Sequence, residues 1–258
     1  MTILEHDQRG GVATLSLNRP DRHNAIDRAL LGQLIAAIER ATDATEVRVV
    51  VLRGNGPSFC SGVDTSGLGN RDEGEGHFSY LRRSQQLNLL ISSSPKPVIA
   101  ALHGHVLGKG LETALAADIR VVGDDARLGF PEVAFGLTTD NGGAARATVL
   151  AGPSRTKYLI MSGETIDAST AVDWGLGDIL VGSGDLDDRV QEIATRIASR
   201  PPVAVSVAKE LVDQVDRGAV VNGTRTEMLA QIALFGTDDH HEARAALRER
   251  RTPQYRGT

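Results

Sequence analysis

The 258-residue chain is long enough for one large domain or a domain with an appendage, and its 41% apolar residues allow a sizeable core. A formal charge of −5, with no basic cluster interleaved with aromatics, argues against nucleic acid as a partner. No apolar run approaches the roughly 18 residues of a membrane span. Aromatics make up only 3%, so the core must be aliphatic. The single cysteine, Cys60, excludes an intrachain disulfide and a cysteine-based metal site. The first residues lack a basic region followed by an apolar one, so the expectation is a soluble, cytoplasmic protein with no membrane association.

In chain order, residues 12–17 alternate with period two and predict a half-buried strand. A polar turn over 18–24 leads to a helix predicted over 27–41, with Leu30, Leu31, Leu34, Ile35 and Ile38 on one face. Residues 47–52 predict a second strand, stopped by Gly54-Asn55-Gly56-Pro57. The stretch 65–77 is rich in glycine and acidic residues and predicts a mobile loop. A helix over 80–91 follows, broken by 92–97. Strands are predicted at 98–102, 119–122 and 126–130, with Pro131-Glu132-Val133 closing the last, and residues 135–143 read as an irregular loop into 144–150. From Ser154 the pattern is helical almost throughout, over 154–161, 168–174, 186–199, 202–216, 224–234 and 239–251. Some strands follow one another without a helix between them, which is not a regular doubly wound order.

The most informative stretch is His103 to Ile119, where the apolar strand 98–102 ends in a glycine-rich turn that opens an Ala/Leu-rich helix. Backbone N–H groups at such a turn have no intrahelical partner, and the helix dipole adds positive potential, so an anion or developing oxyanion is well placed there. Glu112 lies one turn into that helix. Other motifs fail. Gly54-x-Gly56 lacks the third glycine of a dinucleotide fingerprint, Gly104-x-x-x-Gly108-Lys109-Gly110 lacks the Ser/Thr of a P-loop, and no Gly-x-Ser-x-Gly elbow is present. His103/His105 and His240/His241 have no carboxylate at a metal-motif spacing, so no metal site is expected, and Trp174 reads as a packing residue.

Taken together, these pieces resemble the enoyl-CoA hydratase/isomerase (crotonase) family over nearly the whole length. Leu17-Asn18-Arg19-Pro20 with Asn24-Ala25 is similar to its N-terminal signature, and Phe59-Cys60-Ser61-Gly62-Val63-Asp64 to its first active-site loop. Residues 95–101 leading into Gly104 through Asp118 resemble the second loop. Phe130-Pro131-Glu132, Gly136-Leu137 and Gly142-Gly143 resemble the third, and residues 248–257 the terminal helix and tail. The resemblance implies an α/β fold: a crotonase-like spiral of ββα turns in two roughly perpendicular sheets over 1–195, then a helical trimerisation region over 196–258. It also implies an acyl-CoA thioester substrate, a homotrimer or dimer of trimers, and no cofactor beyond the coenzyme A of the substrate.

By position in the family's motifs, the backbone N–H groups of Val63 and Lys109 form an oxyanion hole for the thioester enolate, and losing one such donor typically costs about 3–4 kcal/mol in the barrier. Glu112 and Glu132 match the hydratase acid and base, for addition of water across the 2,3 double bond. Two departures stand out. Lys109 replaces a usual glycine; it is tolerated only at an ordinary φ, and its ammonium would pair with Glu112, reach the CoA phosphates or face solvent. Asp140 stands where hydratases have glycine and where the dienoyl-CoA isomerase branch has aspartate, so double-bond isomerisation by Glu132 and Asp140 is the alternative reading, with a non-catalytic acyl-CoA binder as a third. Asp140 would otherwise cap the helix starting near Gly142. Arg22, His23, Ala25, Ser61, Asp64, Thr65, Ser66 and Gly108 are the CoA- and substrate-binding candidates, with Lys209 and Arg251 as further ones across a subunit boundary. The loop 65–77 and helix 80–91 are expected to line the acyl pocket.

Overall fold

The structure, a computed structural model, describes residues 2–65 and 76–257. Ser66 and most of the expected mobile loop lie outside these residues. Six strands form the main sheet in the order β1 (Leu4–Arg9), β2 (Val12–Leu17), β3 (Val49–Gly54), β4 (Val98–Leu102), β6 (Ile119–Gly123) and β9 (Ile179–Val181). A smaller sheet joins β5 (His105–Leu107), β7 (Arg127–Gly129) and β8 (Thr165–Asp167). Among the described residues only β1–β2 and β7–β8 pair antiparallel.

Alternation along the strands decides which face each helix covers. Val49, Val51, Ile99, Ala101 and Val121 face α7 (Leu186–Ala198) through its Leu186, Val190, Ala194 and Ala198. Val50, Leu52, Val98, Ala100 and Leu102 join the larger core with α1 (Arg28–Asp43) and α2 (His77–Ser92). Because β3 and β4 are buried on both faces, they read as continuous apolar runs, whereas polar β1 gives no such signal. As an edge strand it buries only Leu4. The sequence reading also missed the three-residue strands β5, β8 and β9, which are too short to show a period.

The α3 helix (Lys109–Ala114) is shorter than the sequence suggested. Pro131–Phe135 forms a 3-10 turn rather than the end of a strand, consistent with the fixed φ of Pro131 at its first position. Beyond it come α4 (Gly143–Ala151), α5 (Pro153–Ser162) and α6 (Ala168–Asp173). After α7 the chain continues through α8 (Pro202–Asp213), α9 (Arg217–Leu234) and α10 (Asp238–Glu249). The boundary expected at residue 195 falls inside α7, and α9 packs back on α2 and α4 of the same chain. Among the described residues no helix is long and apolar enough to cross a membrane.

Candidate active site

Three adjacent chain segments end at one level and deliver the site. Cys60 bridges Val106 of β5, with Cys60 N–H donating to His105 O (3.0 Å) and Leu107 N–H to Cys60 O (3.0 Å). On the other side β5 pairs parallel with β7. The segments run out at Gly62-Val63, Gly108-Lys109 and Phe130-Pro131-Glu132, so residues far apart in sequence meet. Gly108 N–H donates to Gly129 O at 3.0 Å. Gly108 has φ +52, and a Cβ there would lie 2.9 Å from Glu132 Oε1, so only glycine fits between the carboxyl and the chain. Gly110 plays the same part toward the other neighbour, where a Cβ would lie 2.4 Å from Cys60 O.

The two expected oxyanion donors lie side by side. A Cβ on Gly62 would be 3.7 Å from the Lys109 nitrogen. Ile26 N–H donates to Gly62 O and Asp64 N–H to Ile26 O, which turns the Val63 N–H away from Ile26. The Lys109 N–H is the first of α3 and has no intrahelical acceptor. Lys109 is absent from the residues with positive φ, as its tolerance at this position required.

Its side chain corrects two expectations. The ammonium neither faces solvent nor reaches outward: it is 1% exposed, hydrogen-bonds Ser84 Oγ, and lies 5.9 Å from the ring centre of Tyr80. Burial lowers its pKa, opposed by the charges of Asp140 and Glu112.

The carboxylates differ sharply in how they are held. Glu112 is buried with both oxygens engaged. Oε1 accepts from the N–H groups of Asp140 (3.1 Å), Asn141 (2.9 Å) and Gly143 (3.1 Å), and Oε2 from Asn141 Nδ2 (3.0 Å). Glu132, by contrast, has a buried Oε2 with no partner among the described residues. Burial, with the charges of Glu112, Asp140 and Glu227, pushes its pKa well above the carboxylate range. Burial and Glu112 likewise raise Asp140 to about 8, with Lys109 pulling the other way. Asp140 does not cap α4. Those N–H groups go to Glu112, to Thr139 Oγ1 (from Ala144, 3.2 Å), and to Glu227 on α9.

The candidate CoA residues form a second neighbourhood beside Val63. Ser61 N–H donates to His23 O (2.9 Å) and Ser61 Oγ to Arg22 O (3.4 Å). His23 Nδ1 and Ser58 Oγ share a hydrogen bond of 2.9 Å. Arg19, to which sequence reasoning gave no role, ties the two loops together: it donates to Ala25 O and to Asp64 Oδ2 (2.8 Å) and pairs with Asp27 (3.2 Å). Buried Asn24, at φ +56, holds the turn by donating to Asn55 O and Ser58 O. Thr65 is exposed at the edge of this group. Lys209 and Arg251 do not join it. Lys209 is bound to Asp118 and lies 3.5 Å from Asp213, and Arg251 is held by Glu242 and Glu249.

Several further residues were missed. Inward-facing Ser84, Gln85 and Asn88 of α2 meet Lys109, the Asp140 carbonyl (2.6 Å) and the Asn141 carbonyl (3.0 Å) respectively. Alongside them Tyr80, Leu81, Phe135, Leu137, Met228 and Phe235 form a small apolar cluster between α2, the Glu132 turn and α9. The acyl-pocket wall expected from helix 80–91 is therefore mixed, polar beside Lys109 and apolar beside Leu137. The tail reaches the same turn, with Tyr255 OH donating to Ala134 O (2.7 Å).

Solved structures establish the class: this is the crotonase fold. An enoyl-CoA hydratase/isomerase of Pseudoalteromonas atlantica superposes with a TM-score of 0.91 at 26% identity, covering 99% of this chain and 100% of that one. The enoyl-CoA hydratase of Bacillus anthracis gives 0.79 at 32% identity, covering 100% of both chains. The family described as enoyl-CoA hydratase/isomerase matches residues 7–258, and the chain belongs to that enzyme family. A 2,3-dehydroadipyl-CoA hydratase of Escherichia coli is 34% identical over 99% of this chain and 98% of its own length. A short-chain-enoyl-CoA hydratase of Clostridium acetobutylicum is 35% identical over 96% and 95%.

Proposed function

We propose that this chain is an enoyl-CoA hydratase, a hydro-lyase adding water across the 2,3 double bond of an acyl-CoA thioester. The observation that carries the reading is Glu132, a buried carboxyl with an unpartnered oxygen, packed against Gly108 beside the N–H of Lys109. A group that must take and return a proton needs a free oxygen and a pKa near the working range. Relatives named as hydratases of two different enoyl-CoA substrates support the same chemistry.

In this reading the thioester oxygen accepts hydrogen bonds from Val63 and Lys109. Glu132 takes a proton from water as its oxygen bonds to C3. The π electrons move onto C2 and the thioester oxygen, and the hole stabilises that enolate. A proton then reaches C2 from the Glu112/Glu132 pair and the enolate collapses to the 3-hydroxyacyl thioester. The nucleotide part of CoA follows Arg22, His23, Ala25, Ser61, Asp64 and Thr65. Water addition and proton transfer involve no change of net oxidation state, so no resident cofactor is invoked. Exposed Val203, Val207, Leu211, Val212 and Val215 on and just after α8 support a homotrimer or dimer of trimers, in which these side chains would be covered. The lone buried thiol suits a reducing cytoplasm.

Asp140 supports a second reading, 3,5-dienoyl-CoA isomerisation, because its carboxyl is also buried with a raised pKa. One panel separates the two. Wild type should hydrate 2-enoyl-CoA thioesters, Glu132→Gln should lose about 10²–10⁴-fold in kcat, and Asp140→Asn should retain hydration. Turnover of the dienoyl thioester that is lost in both variants, without hydration in wild type, would instead establish isomerisation. Tight thioester binding without any turnover would leave the binder reading.

A further inference from the structure

The segment between the Glu132 turn and α4 has its N–H groups divided between two carboxylates that approach from opposite sides. Glu112 of α3 takes those of Asp140, Asn141 and Gly143. Glu227 of α9 takes those of Gly142 (3.0 Å, to Oε2) and Ala145 (2.9 Å, to Oε1). The remaining one, from Ala144, goes to Thr139 Oγ1. One turn along α9, Gln231 Oε1 accepts from Thr138 N–H (3.0 Å), and its side chain also hydrogen-bonds the Asp140 carboxyl. Gln85 Nε2 spans the gap, donating to Asp140 O (2.6 Å) and Thr224 O (2.9 Å).

Thr224, Glu227 and Gln231 are all buried on α9, at i, i+3 and i+7, positions that a packing helix ordinarily fills with apolar side chains. Buried polar groups are costly unless matched; the Thr224 hydroxyl donates to Val220 O within α9, while Glu227 and Gln231 are matched to one segment. That segment is also the one that fixes the Glu112 carboxylate and carries Asp140. Glu112 cannot keep its three backbone donors if the two intervening ones, at Gly142 and Ala145, lose theirs and the start of α4 rewinds. A side chain at Gly143 would already lie 2.8 Å from Glu112 Oε1, so the segment has no slack to shift toward it.

Resting on the hydratase reading above, we infer that Glu227 and Gln231 are positioning residues of the reaction, which makes α9 of the C-terminal helical region a wall of its own chain's active site. They touch no substrate and act by holding residues 138–145, and through them Glu112 and Asp140. Charge gives a second handle. Glu227 faces Glu112, Glu132, Asp140 and Arg146, and its negative charge helps to raise the pKa of Glu132 and Asp140. An isosteric amide removes that charge and puts an NH2 group against one of the two N–H donors.

The test measures amide hydrogen exchange over 138–145 and steady-state hydration of a 2-enoyl-CoA by the full chain, for wild type, Glu227→Gln, Glu227→Ala and Gln231→Ala. Exchange should quicken in 138–145 while α1 and α7 keep wild-type protection. For the Glu227 variants kcat should fall about 10-fold to 100-fold with little change in KM. In Glu227→Gln the acidic limb of the kcat profile, set by ionisation of the base Glu132, should move to lower pH, a shift that a purely structural role would not produce. Wild-type kcat and pH profile in Glu227→Gln and Gln231→Ala, both folded, would overturn the inference. So would unchanged exchange in 138–145. If wild type hydrates nothing, the hydratase reading fails instead, and local exchange together with the affinity for an acyl-CoA thioester decides the positioning role.

Discussion

α1 and α2 are neighbours of equal length, 16 residues each, that turn opposite chemistries inward. α1 buries only apolar side chains: Leu30, Leu31, Leu34, Ile35, Ala37, Ile38 and Ala41. α2 buries Ser84, Gln85 and Asn88 among Leu81, Leu87 and Ile91. Each polar residue of α2 has a partner in the site: Lys109 for Ser84, the Asp140 carbonyl for Gln85, and the Asn141 carbonyl and Thr113 for Asn88. α1 packs on the sheet, and α2 packs on the groups proposed to carry the chemistry. A helix that pays desolvation on its inner face without being a weak helix marks a functional wall.

The contrast can be tested by substitution. Leu34→Ala should cost about 2–5 kcal/mol of unfolding free energy by urea titration, with kcat unchanged in the folded fraction; a lower kcat would show that α1 also shapes the site. Gln85→Ala should cost less, about 1–3 kcal/mol, because two buried carbonyls lose a donor. It should nevertheless reduce kcat, whereas wild-type turnover in a destabilised Gln85→Ala would place α2 in the same class as α1.

A further test is with pH. Burial raises Asp140 to about 8 and Glu227 to about 7, so the folded chain binds protons that the unfolded chain has released. Through these two groups stability therefore falls as pH rises through the window from about 4 to about 8. A tenfold change in proton affinity is worth about 1.4 kcal/mol, so the fall should reach several kcal/mol, and Asp140→Asn should reduce it. A melting temperature that rises across that window would contradict the assignment of buried, protonated carboxyls.

Much of this was legible before any coordinates. Strand β2 and helices α1 and α7 announce themselves by period, and β3, β4 and β6 as short, largely apolar runs, because an aliphatic core leaves little ambiguity about which residues face it. The ordered motifs around Val63, Lys109 and Glu132 name the meeting place even though local pattern cannot show that three chain segments end together there. The inward polar residues of α2 and α9 were not legible. Ser84, Gln85, Asn88, Thr224, Glu227 and Gln231 look like solvated positions until the partner of each helix face is known. Lys109 was misread for the same reason, since a lysine in a sequence gives no sign of Ser84 waiting 25 residues upstream. The polar edge strand β1 and the three-residue strands lacked the apolar signal that strand prediction relies on.

The contacts of α9 and the tail bear on when this protein becomes competent. Glu227 reaches back 85 residues to Gly142 and 82 to Ala145, and Tyr255 reaches back 121 to Ala134. Non-local contacts of this kind form late and slowly. On a ribosome, the sheet and α1 have all their sequence partners long before residue 227 emerges, so the scaffold can fold while the cluster of carboxyl groups is still incomplete. Competence is thereby tied to the synthesis of α9, and a chain released before it would keep much of its sheet but lack the clamp that α9 places on residues 142–145.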